Sequence, residues 1–145
     1  MDMNSKARFR ALRETIGITQ AQAAETFGVQ PRAVRRWESP TAPQLPPEGV
    51  LEEMERMADE RARAIESTVK ATEKFIADAV ENVEGREVSE VSLPYWSSQA
   101  AYDEWHPATP GDYRRVNSIS RGVADALRSR GLEVKWLLDH ADAVN

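Results

Sequence analysis

The sequence predicts a mainly α protein: an N-terminal bundle of short helices, a long connecting helix, and a small α+β C-terminal domain with a short sheet. Three observations carry this. Residues 20–37, QAQAAETFGVQPRAVRRW, read as two short helices flanking a glycine. From Glu48 to Glu84 apolar residues recur every three or four positions, and Gly49 in the opening turn is the one glycine or proline, which is the period of an amphipathic helix. Beyond Gly85, EVSEVSLPYW and LEVKWLL alternate apolar and polar residues as half-buried strands do, with two helical stretches between them. The boundaries that follow are 1-57 for the bundle, 58-87 for the connecting helix and 88-145 for the C-terminal domain.

The first helix is expected from Ser5 to Ile16, capped by Asn4 or Ser5, with Phe9, Leu12 and Ile16 on one buried stripe and Gly17 as its stop. Arg8 and Arg10 are left on the outside. Thr19 caps the second helix, and Gln22 three residues on completes a capping box, so Ala23, Ala24 and Phe27 turn inward. Gly28 can take the left-handed conformation that ends a helix, and Val29 can plug the corner beneath it. The third helix starts with Gln30 as cap and Pro31 at the first helical position, where a missing N–H costs nothing. Val34 and Trp37 share its inner face; Arg32, Arg35 and Arg36 hold the outer one. Ala24 is small where two helices joined by a short turn must approach closely, and the whole span has the form of a DNA-binding helix-turn-helix.

The stretch SPTAPQLPPEG holds four prolines between Pro40 and Pro47 and reads as a stiff surface connection, with Pro46-Pro47-Glu48 opening the long helix. Its apolar stripe runs through Leu51, Met54, Ala58, Ala62, Ile65, Val69, Thr72, Ile76, Ala79 and Val83. The stripe weakens at Ala62 and Thr72, and Arg61, Arg63 and Glu66 make its middle polar. This predicts a docked start, an exposed middle and a docked end rather than a strict coiled coil.

In the C-terminal domain Val91, Leu93 and Tyr95 form the inward face of a first strand, with Pro94 confining it to an edge. Ser97 or Ser98 caps a short helix that buries Ala100, Ala101, Tyr102 and Trp105, and Thr109-Pro110-Gly111-Asp112 starts another, with proline at its first position. Tyr113, Val116, Ile119, Val123 and Leu127 stripe that helix, Gly131 ends it, and Val134, Trp136 and Leu138 face inward from the last strand. Trp96, Trp105 and Trp136 are read as core. Two strands are marginal alone and expose their edges, so a homodimer through this domain is expected.

Composition narrows the function. With 41% apolar and 30% charged residues the chain is expected to be a soluble, cytoplasmic protein, and no run approaches the roughly 18 apolar residues of a membrane span. MDMNSKARFR carries no apolar signal segment behind its charges. Cysteine is absent, which removes disulfides, thiolate metal sites and cysteine nucleophiles. His106 and His140 lie far apart in sequence, no serine sits in a nucleophile elbow, and no glycine-rich loop suggests a phosphate cradle. No enzyme, cofactor or metal is therefore expected. The net charge of −5 divides unevenly, because residues 1–45 hold seven Lys/Arg against four Asp/Glu while the remainder is strongly acidic. Only the N-terminal part is drawn to a phosphate backbone.

Arg13, Gly17, Thr19-Gln20, Ala24, Gly28-Val29, Val34 and Trp37-Glu38 together resemble the signature of the Xre/Cro-type repressor helix-turn-helix over roughly residues 4–57. The resemblance implies a phosphate contact from Gln20 and base reading by Gln30, Arg32 and Arg36, with Arg35 on base or backbone. It also implies that Arg13 pairs with Glu38. The family usually has serine, threonine or glutamine where this chain has Pro31, so that contact is missing. The order long helix, strand, helix, helix, strand behind such a head resembles small bacterial and phage regulators, anti-CRISPR-associated repressors among them, whose C-terminal domain forms the homodimer. The expected function is a sequence-specific transcriptional regulator, a repressor binding double-stranded DNA as a homodimer at an inverted-repeat operator. The alternative is an antitoxin-type interaction protein whose acidic C-terminal part binds a toxin. RNA stays open as a further partner, because a basic face does not by itself choose the polymer.

Overall fold

A computed structural model describes residues 2–82, Gly85 and 87–140. Among them the chain is mainly helical, with six helices and one small parallel sheet, in the order α1 (Met3–Ile16), α2 (Gln20–Phe27), α3 (Pro31–Glu38), α4 (Glu48–Asn82), β1 (Glu90–Tyr95), α5 (Gln99–Trp105), α6 (Tyr113–Ser129) and β2 (Glu133–Leu138). It divides into two units, Met1–Arg61 and Ala62–Asn145. No helix among the described residues is long and apolar enough to cross a membrane.

In the first unit α1 begins two residues earlier than its spacing suggests, because Asp2 rather than Asn4 or Ser5 is the cap and its carboxylate accepts the Ser5 N–H. The capping box of α2 is complete: Thr19 Oγ1 accepts the Gln22 N–H and Gln22 Oε1 accepts the Thr19 N–H. Gly28 closes α2 at φ 64°, where a side chain would be strained. Gln30 does stand at the cap position of α3, but its side chain makes no capping bond; the prolyl ring at Pro31 already sets the first helical turn. The core collects Phe9, Ile16, Ile18, Ala23, Ala24, Val34, Trp37, Leu51, Met54 and Met57. Phe9 and Trp37 meet edge to face with ring centres 5.5 Å apart, which fastens α1 to α3. Leu51, Met54 and Met57 come from the first turns of α4, so the start of the long helix docks as expected and is the fourth helix of the bundle.

In the second unit the remainder of α4 packs through Ile65, Val69 and Ile76 with β1 and α6. Ile76 docks toward the end as expected, but the middle expected to be exposed is docked too, because Val69, fully buried, and Ile65 face β1 and α6; Phe75 and Val80, off the stripe, project into solvent. The predicted stop at Glu84 and the stripe position Val83 lie outside the described residues. β1 and β2 run parallel in register from Glu90↔Glu133 to Tyr95↔Leu138, with α5 and α6 in the crossover. Ser98 caps α5, but only Tyr102 is buried there; Ala100 and Trp105 face outward, and the Trp105 ring lies against His140 instead. Proline does not open α6, because Asp112 is its cap and accepts the Arg114 N–H, leaving Pro110 upstream.

Two stripes also differ from their period. On α6, Val123, Ala124 and Leu127 are buried, but so are Asn117, Ser118 and Ser120, while Tyr113 and Val116 are half exposed. On β2, Val134 is half-buried but Trp136 and Leu138 are 39% and 64% exposed. Core contact in a two-stranded sheet extends only as far as α6 covers it, and Val91, Leu93 and Val134 use that cover up. Of the three tryptophans read as core, Trp96 alone is buried, edge-on to Tyr102.

Candidate nucleic-acid interface

The outward face of α3 begins with two backbone decisions. Gly28 turns the chain at the end of α2, and Pro31 starts a new helix three residues later, so Gln30 is left at an exposed helix start. Eight residues of α-helix then extend about 12 Å. Val34 and Trp37 are buried, and the opposite side carries Arg32, Arg35 and Arg36, all exposed. Arg32 and Arg36 are one turn apart and Arg35 adjoins Arg36, so three guanidinium groups share one side. None of the three has an ion-pair or hydrogen-bond partner for its side chain among the described residues.

The other arginines of this unit are occupied. Arg8 donates to Glu55, which holds its guanidinium above the usual value, and lies near Glu48. Arg10 donates to Glu14 on the next turn and is raised likewise. Arg8 and Arg10 thus serve the surface of α1, while the three arginines of α3 stay unneutralised. Gln20, at the first position of α2, is half-buried, in line with the amides that a helix start leaves unsatisfied.

α3 is held from behind by two charged groups. Arg13 grips Glu38 through both carboxylate oxygens, Nε donating to Oε2 and Nη2 to Oε1, each at 2.8 Å, while Nη1 donates to the Ile18 carbonyl at 3.1 Å. The Glu38 side chain is 4% exposed and that of Arg13 13%. The second group is Lys6, 3% exposed, whose ammonium donates to the carbonyls of Arg36 at 2.8 Å and Gln44 at 2.6 Å. It caps the end of α3, where carbonyls lack helical partners, and ties the proline-rich connection to it. Sequence reasoning missed Lys6. The signal was present, since Lys6, Phe9, Arg13 and Ile16 follow in steps of three and four, which places both charges in the phase of the buried stripe. Lys6→Ala is expected to lower the melting midpoint and to cost about 2 kcal/mol, the scale of losing bonds to a charged donor; chemical denaturation checks it.

The predicted site residues therefore fall into a line along α3 (Gln30, Arg32, Arg35, Arg36) and one residue, Gln20, at the start of α2. The line can present hydrogen-bond donors in parallel to an anionic or acceptor-rich surface, backed by a helix that cannot rotate without breaking the Arg13–Glu38 and Lys6 bonds. No protein-family model matches the chain. No curated protein matches it either.

Proposed function

We propose that this chain is an Xre/Cro-type helix-turn-helix transcriptional regulator, a cytoplasmic repressor that binds double-stranded DNA as a homodimer at an inverted-repeat operator. The observation that supports this best is the row of three unpaired arginines on α3, in a protein where acids outnumber Lys and Arg by 24 to 19. Adjacent cations repel one another, and with acids in excess a fold can neutralise them cheaply; their being left bare favours an anionic partner. A helix about 10–12 Å across fits the roughly 12 Å major groove. Arg32 and Arg36 read base edges there, with guanine O6 and N7 as the preferred acceptors, Gln30 reads beside them, and Arg35 takes base or backbone. Gln20 and the start of α2 hold a phosphate and set the register. A two-fold dimer presents α3 twice, so half-site centres stand about 34–36 Å apart or at a multiple of that.

The test is selection of bound sequences from random and genomic duplexes, followed by affinity measurement on the selected site and on unrelated DNA. The expected result is an inverted repeat. Arg32→Ala and Arg36→Ala should each cost about 1–3 kcal/mol on the selected site and much less on unrelated DNA, whereas Gln20→Ala should weaken both alike. No enrichment of any sequence, or equal losses on both duplexes for all three variants, would overturn the assignment.

A further inference from the structure

The two outer edges of the sheet are not equivalent. Glu133 donates its N–H to the Ser89 carbonyl at 2.8 Å and Asp139 donates to that of Tyr95 at 2.9 Å. With the register from Glu90↔Glu133 to Tyr95↔Leu138, odd-numbered residues of both strands therefore turn their backbone groups toward each other and even-numbered ones turn theirs outward. On the outer edge of β1, Pro94 has no N–H to offer. Just beyond it the Asn117 amide takes both backbone groups of Trp96, accepting its N–H and donating to its carbonyl, each at 2.8 Å. The C-terminal half of that edge is closed.

The outer edge of β2 has neither protection. Leu132 is engaged by the Leu127 carbonyl, but the N–H groups of Val134, Trp136 and Leu138 have no partner among the described residues, and no proline interrupts them. The face beside this edge is apolar and uncovered, forming an open groove of about 430 Å³ lined by Tyr95, Arg121, Trp136 and Leu138. Natural sheets blunt an exposed edge with proline, charge or a bulge unless something pairs with it, and the charges on β2, Glu133 and Lys135, are of opposite sign and leave the half from Trp136 to Leu138 apolar.

We propose that a second copy of this chain adds its own β2 to this edge, antiparallel about a two-fold axis, giving a continuous four-stranded sheet. The inference deepens the homodimer part of the function proposed above and rests on it. Charge selects the occupant and the register. Outward-facing residues must oppose one another, which allows two-fold registers centred on Val134, Lys135, Trp136 or Leu137; centring on Leu137 needs Asp139 opposite Lys135, but Asp139 leaves the strand at φ 56° and its carboxylate is taken by the N–H and hydroxyl of Ser97. Centring on Lys135 sets lysine against lysine, and centring on Trp136 sets Glu133 against Asp139. Centring on Val134 instead sets Glu133 of each copy opposite Lys135 of the other, twice by symmetry, and places Leu132 beside Trp136. A strand that alternates Glu and Lys about a valine is complementary to itself.

The test uses the full chain and follows dimerisation by light scattering and analytical ultracentrifugation over a micromolar range. Glu133→Lys alone and Lys135→Glu alone each create like-charged cross-strand pairs and should weaken dimerisation about tenfold, while an equimolar mixture of the two variants should form a heterodimer within about twofold of wild-type affinity. Lys135 also bonds Glu90 within its own chain, but that loss is the same in the mixture and cannot produce the rescue. Val134→Pro removes an outward donor while leaving the β1 ladder intact, and should abolish the dimer with far-UV circular dichroism unchanged. Wild-type protein that is monomeric throughout overturns both the edge pairing and the homodimer reading. A wild-type dimer insensitive to all three variants, or one lost in the single variants and not restored on mixing, overturns the edge pairing and leaves the homodimer standing. Sequence-selective DNA binding is measured separately.

Discussion

Arg13→Ala is expected to destabilise the first unit by about 3–5 kcal/mol, far more than the 0–1 kcal/mol of an exposed pair. The difference comes from what is left behind. The Glu38 carboxylate is almost fully enclosed and accepts two guanidinium bonds, so deleting the arginine leaves a buried anion with no hydrogen-bond donor and only the exposed Arg10 guanidinium, 3.9 Å away, as counter-charge, and the Ile18 carbonyl loses its bond too. Desolvation, not the lost attraction, sets the cost. Glu38→Ala should cost a similar amount, while Arg13→Met combined with Glu38→Leu should recover part of the loss by removing both charges. Because so little solvent reaches the pair, 1 M salt should leave the effect in place. Thermal and urea unfolding check all three, and an Arg13→Ala protein with the wild-type midpoint would show that the pair contributes nothing.

Asn117→Leu is expected to cost the second unit about 3 kcal/mol, although leucine is close in size and suits a buried position. The amide of Asn117 satisfies both backbone groups of Trp96, and both lie where water does not reach. Each stranded group costs about 1–3 kcal/mol, which outweighs the gain from burying a larger apolar side chain. Asn117→Asp is the informative companion. It keeps the acceptor for the Trp96 N–H but replaces the donor by a carboxylate facing a carbonyl, and should be at least as damaging at neutral pH. Trp96 fluorescence and urea unfolding would read both. A leucine variant as stable as wild type would mean that the Trp96 backbone finds another partner.

How far each of these features could be read in advance differs with its range along the chain. The helix-forming signals of the first unit are local: Thr19 with Gln22, Gly28 and Pro31 act within four residues, and the structure places caps and turn at those positions. Likewise Arg32, Arg35 and Arg36 follow from Val34 and Trp37, since a helix that buries one side must expose the other. In the second unit the period of a stripe predicted which residues alternate but not how much cover the neighbouring element supplies, which is why Trp136 and Leu138 stand exposed.

The helical elements, the capping box, the left-handed turn and the basic side of α3 are legible along the chain, because each depends on residues one or two turns apart. The rest depends on contacts between distant segments. That Lys6 caps α3 across 30 residues, that Asn117 closes the end of the outer edge of β1 across 21, and that the strands run parallel so that β2 keeps its edge open are consequences of chain segments meeting in space. Lysine and asparagine are ordinarily surface residues, and although Lys6 lies in the phase of a buried stripe, its neighbours along the chain do not supply the carbonyls that receive it. A polar group becomes part of a core only when a distant backbone brings it the partner that offsets its desolvation, and that partner is fixed by the fold.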